Sequence, residues 1–240
     1  MREPYKLTET DALIITDIQN DFLPNGTLPI PNSQEIIPII NGYIKRFEAA
    51  QAHIITSRDW HPPNHTSFIP QTGPWPPHCV QNTFGAKFSP NLKLPPNTLI
   101  NSKATKPDHE VYSAFEDTNL SSELYKRGVK RIFILGLATD YCVLDTTLDA
   151  CELGFETIVL IDAIRGINAE PGDVEHAMTT MHNSGADLAT ETDFSDEEDT
   201  LPVEQSTPDA LAAKPSMLID AKKKARMRPK GANKRLKTEK

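Results

Sequence analysis

The sequence predicts an α/β protein, an open, mostly parallel six-stranded sheet with helices on both faces, followed by a tail with no core of its own. Three observations lead there. Short β-branched apolar runs alternate with longer segments that carry apolar residues at helical spacing. Glycines close those longer segments, which is how helices end. From about Glu191 the apolar runs almost stop.

Taken in order, "ALIITDI" is the first buried strand. Ser33 is the expected N-cap of "QEIIPIINGYIKRFEAAQA", where Ile36, Ile40, Ile44 and Phe47 share one face and Pro38 interrupts the start. "HIITSRD" is the second strand. Between Trp60 and Pro96 prolines, asparagines and glycines dominate and no apolar period survives, so a long irregular loop is expected. Such loops are functional or disordered, and its tryptophans and histidines favour function. "NTLINSK" is the third strand, and Leu120 to Arg127 a helix closed by Gly128. "RIFILGL" is the fourth strand, Asp140 to Leu153 a helix closed by Gly154, and "ETIVLID" the fifth strand. Pro171 to Asn183 makes the last helix before Gly185, and "ADLAT" the sixth strand.

Residues 1–190 thus read as one domain and 191–240 as a disordered tail. The tail begins acidic, "ETDFSDEEDTLPVEQSTPD", and ends basic, "KKKARMRPKGANKRLKTEK", and neither half can bury a core. The basic end suits a nuclear-localisation or anion-binding patch, or a solvated stretch that pairs loosely with the acidic half.

A chain of 240 residues is long enough for one sizeable core. Its net charge of −8 argues against a general nucleic-acid surface. Three cysteines at wide spacing, Cys79, Cys142 and Cys151, do not make a disulfide framework, and they favour a reducing compartment. The apolar run near the N-terminus is too short for a signal peptide or a membrane span. The expectation is a cytoplasmic protein with no membrane contact; the basic tail leaves the nucleus open, and a homo-oligomer stays open too.

In an open parallel sheet, ligands bind at the carboxyl ends of the strands. Asp17 ends the first strand, Asp59 the second and Lys103 the third, and Cys142 follows the fourth. Cys142 falls in the first turn of a helix that Thr139 or Asp140 would cap, where the helix dipole lowers a thiol pKa and backbone N–H groups can hold an oxyanion. A free cysteine is more often a small buried hydrophobe. Convergence with Asp17 and Lys103 favours the nucleophile. Asp17 would take the thiol proton and return it to a leaving group, although Asp17 and Lys103 could equally be a plain buried ion pair. Cys79 and Cys151 have no such company.

A second constellation lies in "RDWHPPNH" and "WPPHCV". Asp59 and His61 are two apart, so in an extended segment they point the same way, and His78 arrives from the far side of the loop. A carboxylate and two imidazoles suit zinc, iron or manganese. Histidines among prolines are also common loop residues. His65 is a candidate additional ligand.

Together "DIQNDF", "RDWHPPNH", "WPPHCVQNTFGAKF", the lysine of "NSK", "VYSAFED" and "GLATDYCV" resemble the nicotinamidases of the isochorismatase-like cysteine hydrolase superfamily, over about Asp11 to Thr190. The resemblance implies hydrolysis of nicotinamide to nicotinate and ammonia in NAD salvage, with pyrazinamide accepted as well. It implies Asp17, Lys103 and Cys142 as the catalytic residues, and Asp59, His61 and His78 as ligands of one divalent metal, often zinc, that binds the pyridine nitrogen. It further implies ring contacts from Phe22, Trp75 and Tyr112, an oxyanion hole from the N–H groups of Ala138 and Cys142, and a cis peptide at Leu137–Ala138. Two rivals remain: another amidase or hydrolase of the superfamily, whose non-pyridine members generally lack the metal set, and a non-catalytic scaffold working through its tail.

Overall fold

The computed structural model describes residues 3–195. Six strands, β1 (Asp11–Thr16), β2 (His53–Asp59), β3 (Leu99–Lys103), β4 (Arg131–Leu137), β5 (Glu156–Arg165) and β6 (Asp187–Ala189), form one sheet in the order β3-β2-β1-β4-β5-β6. Every neighbouring pair is parallel, so the mostly parallel sheet of the sequence is here wholly so. Four α-helices connect the strands: α1 (Ile36–Ala49), α2 (Leu120–Lys126), α3 (Leu144–Glu152) and α4 (Asp173–Asn183). No helix among the described residues is long and apolar enough to cross a membrane.

All six residues of β1 are buried, as a central strand covered on both faces requires. β1 stops at Thr16 because Asp17 adopts a left-handed backbone, φ 51°, rather than extending the "ALIITDI" run. β4 approaches β1 closely at Gly136, φ 117°, where an added Cβ would sit 2.2 Å from the Thr16 carbonyl oxygen. Only glycine fits there.

Ser33 does not cap α1. It begins a single 3₁₀ turn, Ser33–Glu35, and its hydroxyl donates to the Phe22 carbonyl at 3.0 Å, tying the strand-to-helix loop to itself. Pro38 is the third residue of α1, where its missing N–H has no intrahelical acceptor to leave unpaired, so the helix runs through it.

The packing also extends past Thr190. Phe194 is buried against Tyr5, Tyr43, Phe47 and Phe133, with the Arg46 guanidinium 5.3 Å from its ring centroid. Tyr5 N–H donates to the Asp193 carbonyl at 2.8 Å, and Ser195 N–H donates to the Tyr5 carbonyl at 3.1 Å. One aromatic residue inside "ETDFSDEED" thus carries the domain to Ser195, beyond the boundary at residue 190 that composition suggested. The remainder of the expected tail lies outside the described residues.

Candidate active site

Four strands deliver polar groups to one edge of the sheet. Asp17 follows β1, Asp59 ends β2, Lys103 ends β3, and Cys142 lies in the turn after β4. Ala104, directly after Lys103, is left-handed at φ 51° like Asp17. Such backbone costs about 1–3 kcal/mol per residue and concentrates at functional sites.

Lys103 is the hub and is 1% exposed. Its Nζ donates to Asp59 Oδ1 at 2.5 Å and to Cys142 Sγ at 3.3 Å, and it pairs with Asp17 Oδ2 at 3.1 Å. Ser57 Oγ donates to the other oxygen, Asp17 Oδ1, at 2.7 Å, which leaves Oδ2 facing the lysine. Carboxylate oxygens of Asp17 and Asp59 and the Cys142 sulfur lie within 4.8 Å of one another.

The electrostatics divide the two carboxylates. Burial lifts the pKa of Asp17, and the nearby Asp59 adds to the lift, against opposition from Lys103 and Ser57. Burial acts the same way on Asp59, but there Lys103, His61 and His78 prevail and hold the carboxyl well below its ordinary range. Burial alone would discharge Lys103; Asp17, Asp59 and Cys142 instead push its pKa well up and keep it cationic. The Cys142 thiol is pushed well above its ordinary value by burial, with Lys103 opposing and the two carboxylates reinforcing. Burial thus acts against the lowered thiol pKa expected from a helix N-terminus.

The turn itself also departs from expectation. Thr139–Val143 is a π-helical turn that leads into α3, and neither Thr139 nor Asp140 caps it. The Asp140 carboxylate instead accepts the N–H groups of Ile167 at 2.9 Å and Asn168 at 2.7 Å, fastening the loop after β5 beside the thiol. The Leu137–Ala138 peptide is cis, as the resemblance implied. Ala138 and Cys142 both line the pocket described next.

That pocket is a cleft with about 320 Å³ of space free of protein atoms, part of it open to solvent. Phe22, Trp75 and Tyr112 line it, and so do Tyr141 and Ile167, which sequence reasoning did not single out. Trp75 Nε1 donates to Tyr112 Oη at 3.1 Å, and the Trp75 ring packs edge-on against Tyr141 at 5.2 Å. Tyr141 could have been suspected from its place beside the thiol. Nothing local marks Ile167, whose N–H is held by Asp140.

Asp59 and His78 bring the second constellation into the same pocket, and His61 stands beside them. Asp59, His61 and His78 each offer a ligand atom within 4.8 Å of the others, and all three are buried. His78 Nδ1 hydrogen-bonds the Pro76 carbonyl at 2.8 Å, leaving Nε2 to bind. Among the described residues neither ring nitrogen of the buried His61 has a hydrogen-bond partner, Nε2 being 3.7 Å from Asp59 Oδ2, an arrangement that a cation would relieve. Lys103 takes Asp59 Oδ1, so Oδ2 faces His61 at 3.7 Å. The donor set fits a divalent metal.

His65 is placed differently. Its Nδ1 meets Ser67 Oγ at 2.7 Å and its Nε2 meets the His109 carbonyl at 3.1 Å, so both nitrogens are engaged and the ring packs against His61 at 4.2 Å. Sequence reasoning also missed Glu110. Its half-buried carboxyl lies 4.0 Å from His65 Nδ1, and burial raises its pKa, with His61 opposing.

Comparison with known proteins gives a consistent picture. The pattern of the isochorismatase domain matches residues 11–193. The nicotinamidase of Escherichia coli (strain K12) is 36% identical over 204 residues, covering 76% of this chain and 96% of its own. The nicotinamidase of Saccharomyces cerevisiae is 33% identical over 194 residues, covering 67% and 90%. Among solved structures, pyrazinamidase of Pyrococcus horikoshii in complex with zinc is 49% identical with a TM-score of 0.73, over 75% of this chain and 99% of that one. PnC1 from L. infantum in complex with nicotinate is 30% identical with a TM-score of 0.73, over 79% and 98%.

Proposed function

The chain belongs to the isochorismatase family, and from that membership we propose that it is a nicotinamidase, releasing ammonia from nicotinamide through a cysteine thioester as a step of NAD salvage. The observation that carries this is Lys103, which touches Asp17, Cys142 and Asp59, the last two of which line one aromatic pocket.

The raised thiol pKa means that Cys142 waits as a thiol and needs a base, and Asp17, itself raised, is placed to take the proton as attack begins. The Cys142 sulfur bonds to the carboxamide carbon and the C=O electron pair moves onto oxygen, where the N–H groups of Ala138 and Cys142 receive it. Asp17 then gives its proton to the nitrogen, the C–N bond breaks and ammonia leaves. Water attacks the thioester with Asp17 as base, the C–S bond breaks, the sulfur regains its proton, and nicotinate departs. Lys103 stays charged throughout and offsets the negative charge that moves between Asp17 and sulfur.

Asp59, His61 and His78 would hold a divalent ion, with His65 outside the set because both its nitrogens are taken. Zinc is the proposed metal, in keeping with the P. horikoshii pyrazinamidase, and when bound it supplies a Lewis-acid anchor for the ring nitrogen. Phe22, Trp75 and Tyr112, joined by Tyr141 and Ile167, hold the ring flat, and pyrazinamide is accepted by the same walls. The reaction belongs in the cytoplasm, where three free thiols stay reduced.

The test is ammonia release from nicotinamide by the purified protein, before and after chelation and after zinc is returned. Activity that falls on chelation and recovers with zinc is expected. Failure to release ammonia from either nicotinamide or pyrazinamide with zinc present would overturn the reading.

A further inference from the structure

We propose that Gln19 is a positioning residue whose side-chain amide replaces the missing end of β1, fixes the backbone of Asp59, and so sets the affinity of Asp59, His61 and His78 for a divalent cation. The inference rests on the metal reading above.

β1 pairs with β2 as far as Ile15 opposite Thr56, and Asp17 N–H still reaches the Ser57 carbonyl at 3.3 Å. The left-handed Asp17 then turns the chain away. β2 continues to Asp59, which on its other side pairs with Lys103 of β3. In a strand, the N–H and C=O of one residue point to the same side. Those of Asp59 point toward β1, where no strand remains to meet them.

Gln19, fully buried, supplies the partner. Its Oε1 accepts Asp59 N–H at 2.8 Å and its Nε2 donates to the Asp59 carbonyl at 2.8 Å, the pair of bonds that a neighbouring strand would make. The second hydrogen of Nε2 goes to the Ala86 carbonyl at 3.0 Å, in the same loop that carries His78. One amide therefore joins the strand holding one proposed ligand to the loop holding another. All the hydrogen-bonding capacity used is directional, so a shorter or apolar side chain would leave two buried backbone groups of Asp59 unpaired. Asp59 would relieve that by shifting its backbone, and its carboxylate faces Lys103 with one oxygen and His61 with the other.

Residues that orient metal ligands typically change metal affinity 10–100-fold when mutated. The experiment measures zinc affinity of the full-length protein by equilibrium competition with a chromophoric chelator, for wild type, Gln19→Met and Gln19→Glu. Met keeps the length without polar atoms, and Glu keeps the shape without an N–H to donate. Thr157→Val is the control, since it removes a buried hydroxyl that donates to the Phe155 carbonyl at 3.0 Å, at the start of β5. Both Gln19 variants are expected to bind zinc at least tenfold more weakly than wild type, and Thr157→Val to match wild type. Gln19→Glu decides alone if far-UV circular dichroism shows Gln19→Met unfolded. Zinc affinity within twofold of wild type in a folded Gln19 variant, or an equal loss in Thr157→Val, would overturn the role of Gln19. Absence of zinc binding in wild type would instead overturn the metal reading beneath it.

Discussion

The two ends of the sheet are built by opposite rules. At the amino ends, Arg131 of β4 forks onto Asp11 of β1, with Nε 2.8 Å from Oδ1 and Nη2 2.9 Å from Oδ2, and the aromatic cluster around Phe194 fills the neighbouring space. There the buried carboxylate is met by one guanidinium with matched geometry. At the carboxyl ends one lysine serves two buried carboxylates and a thiol, two residues sit in left-handed backbone, and His61 has unsatisfied nitrogens. The difference teaches where this fold keeps its stability and where it keeps its chemistry: satisfied contacts at one end support unsatisfied ones at the other.

The comparison can be broken by variants that should move one property and not the other. The largest effect is expected from Cys142→Ala, which should lower kcat by about 10⁴-fold or more while the thermal midpoint changes little. Steady-state ammonia release and calorimetry on the same sample check both halves, and residual kcat within tenfold of wild type would contradict the thiol assignment. Phe194→Ala should do the reverse. Deleting a buried aromatic costs about 3–5 kcal/mol. For a domain of this size that lowers the midpoint by about 10 °C, while kcat/KM at 25 °C stays as in wild type.

Asp140→Ala sharpens the comparison inside the active end. It releases the two N–H groups that hold Ile167 to the pocket wall. We expect KM for nicotinamide to rise about tenfold, or about 1.4 kcal/mol, with kcat changed less. An unchanged KM would show that the loop after β5 holds its place without Asp140. The smallest effect is expected from truncation after Ser195, which should leave kcat, KM and midpoint alone; truncation after Thr190, which removes Phe194, should destabilise as Phe194→Ala does. Lost activity in the longer truncate would return attention to the tail as the working part.

Much of this arrangement was legible in the sequence, for a local reason. β-branched runs locate strands, a parallel sheet gathers ligands at their carboxyl ends, and so Asp17, Asp59, Lys103 and Cys142 could be grouped before any coordinates. The groups that escaped are those whose partners are set by how the loops fold back rather than by local sequence pattern. Ser33 looks like a cap until its hydroxyl finds Phe22; Asp140 looks like a cap until it finds Ile167 and Asn168. Gln19 carries no chemical signal of its own, because an amide is informative only through what it bonds. The burial that raises the thiol could not be read in advance, because it is a property of the assembled site. Phe194 was hidden because one aromatic residue does not change the average of an acidic stretch.

The pairing of β1 with β4 also sets an order of events in folding. Their ends, Asp11 and Arg131, are 120 residues apart in sequence, and closing a loop of that length costs about 4 kcal/mol of chain entropy before any contact offsets it. β2 and β3 can form with α1 from nearer neighbours. Cys142 and Asp17, the proposed nucleophile and base, belong to the distant pair, so they meet only when this long closure is complete. A chain in which β1 and β4 have not paired therefore lacks the site, whatever else of the sheet has formed.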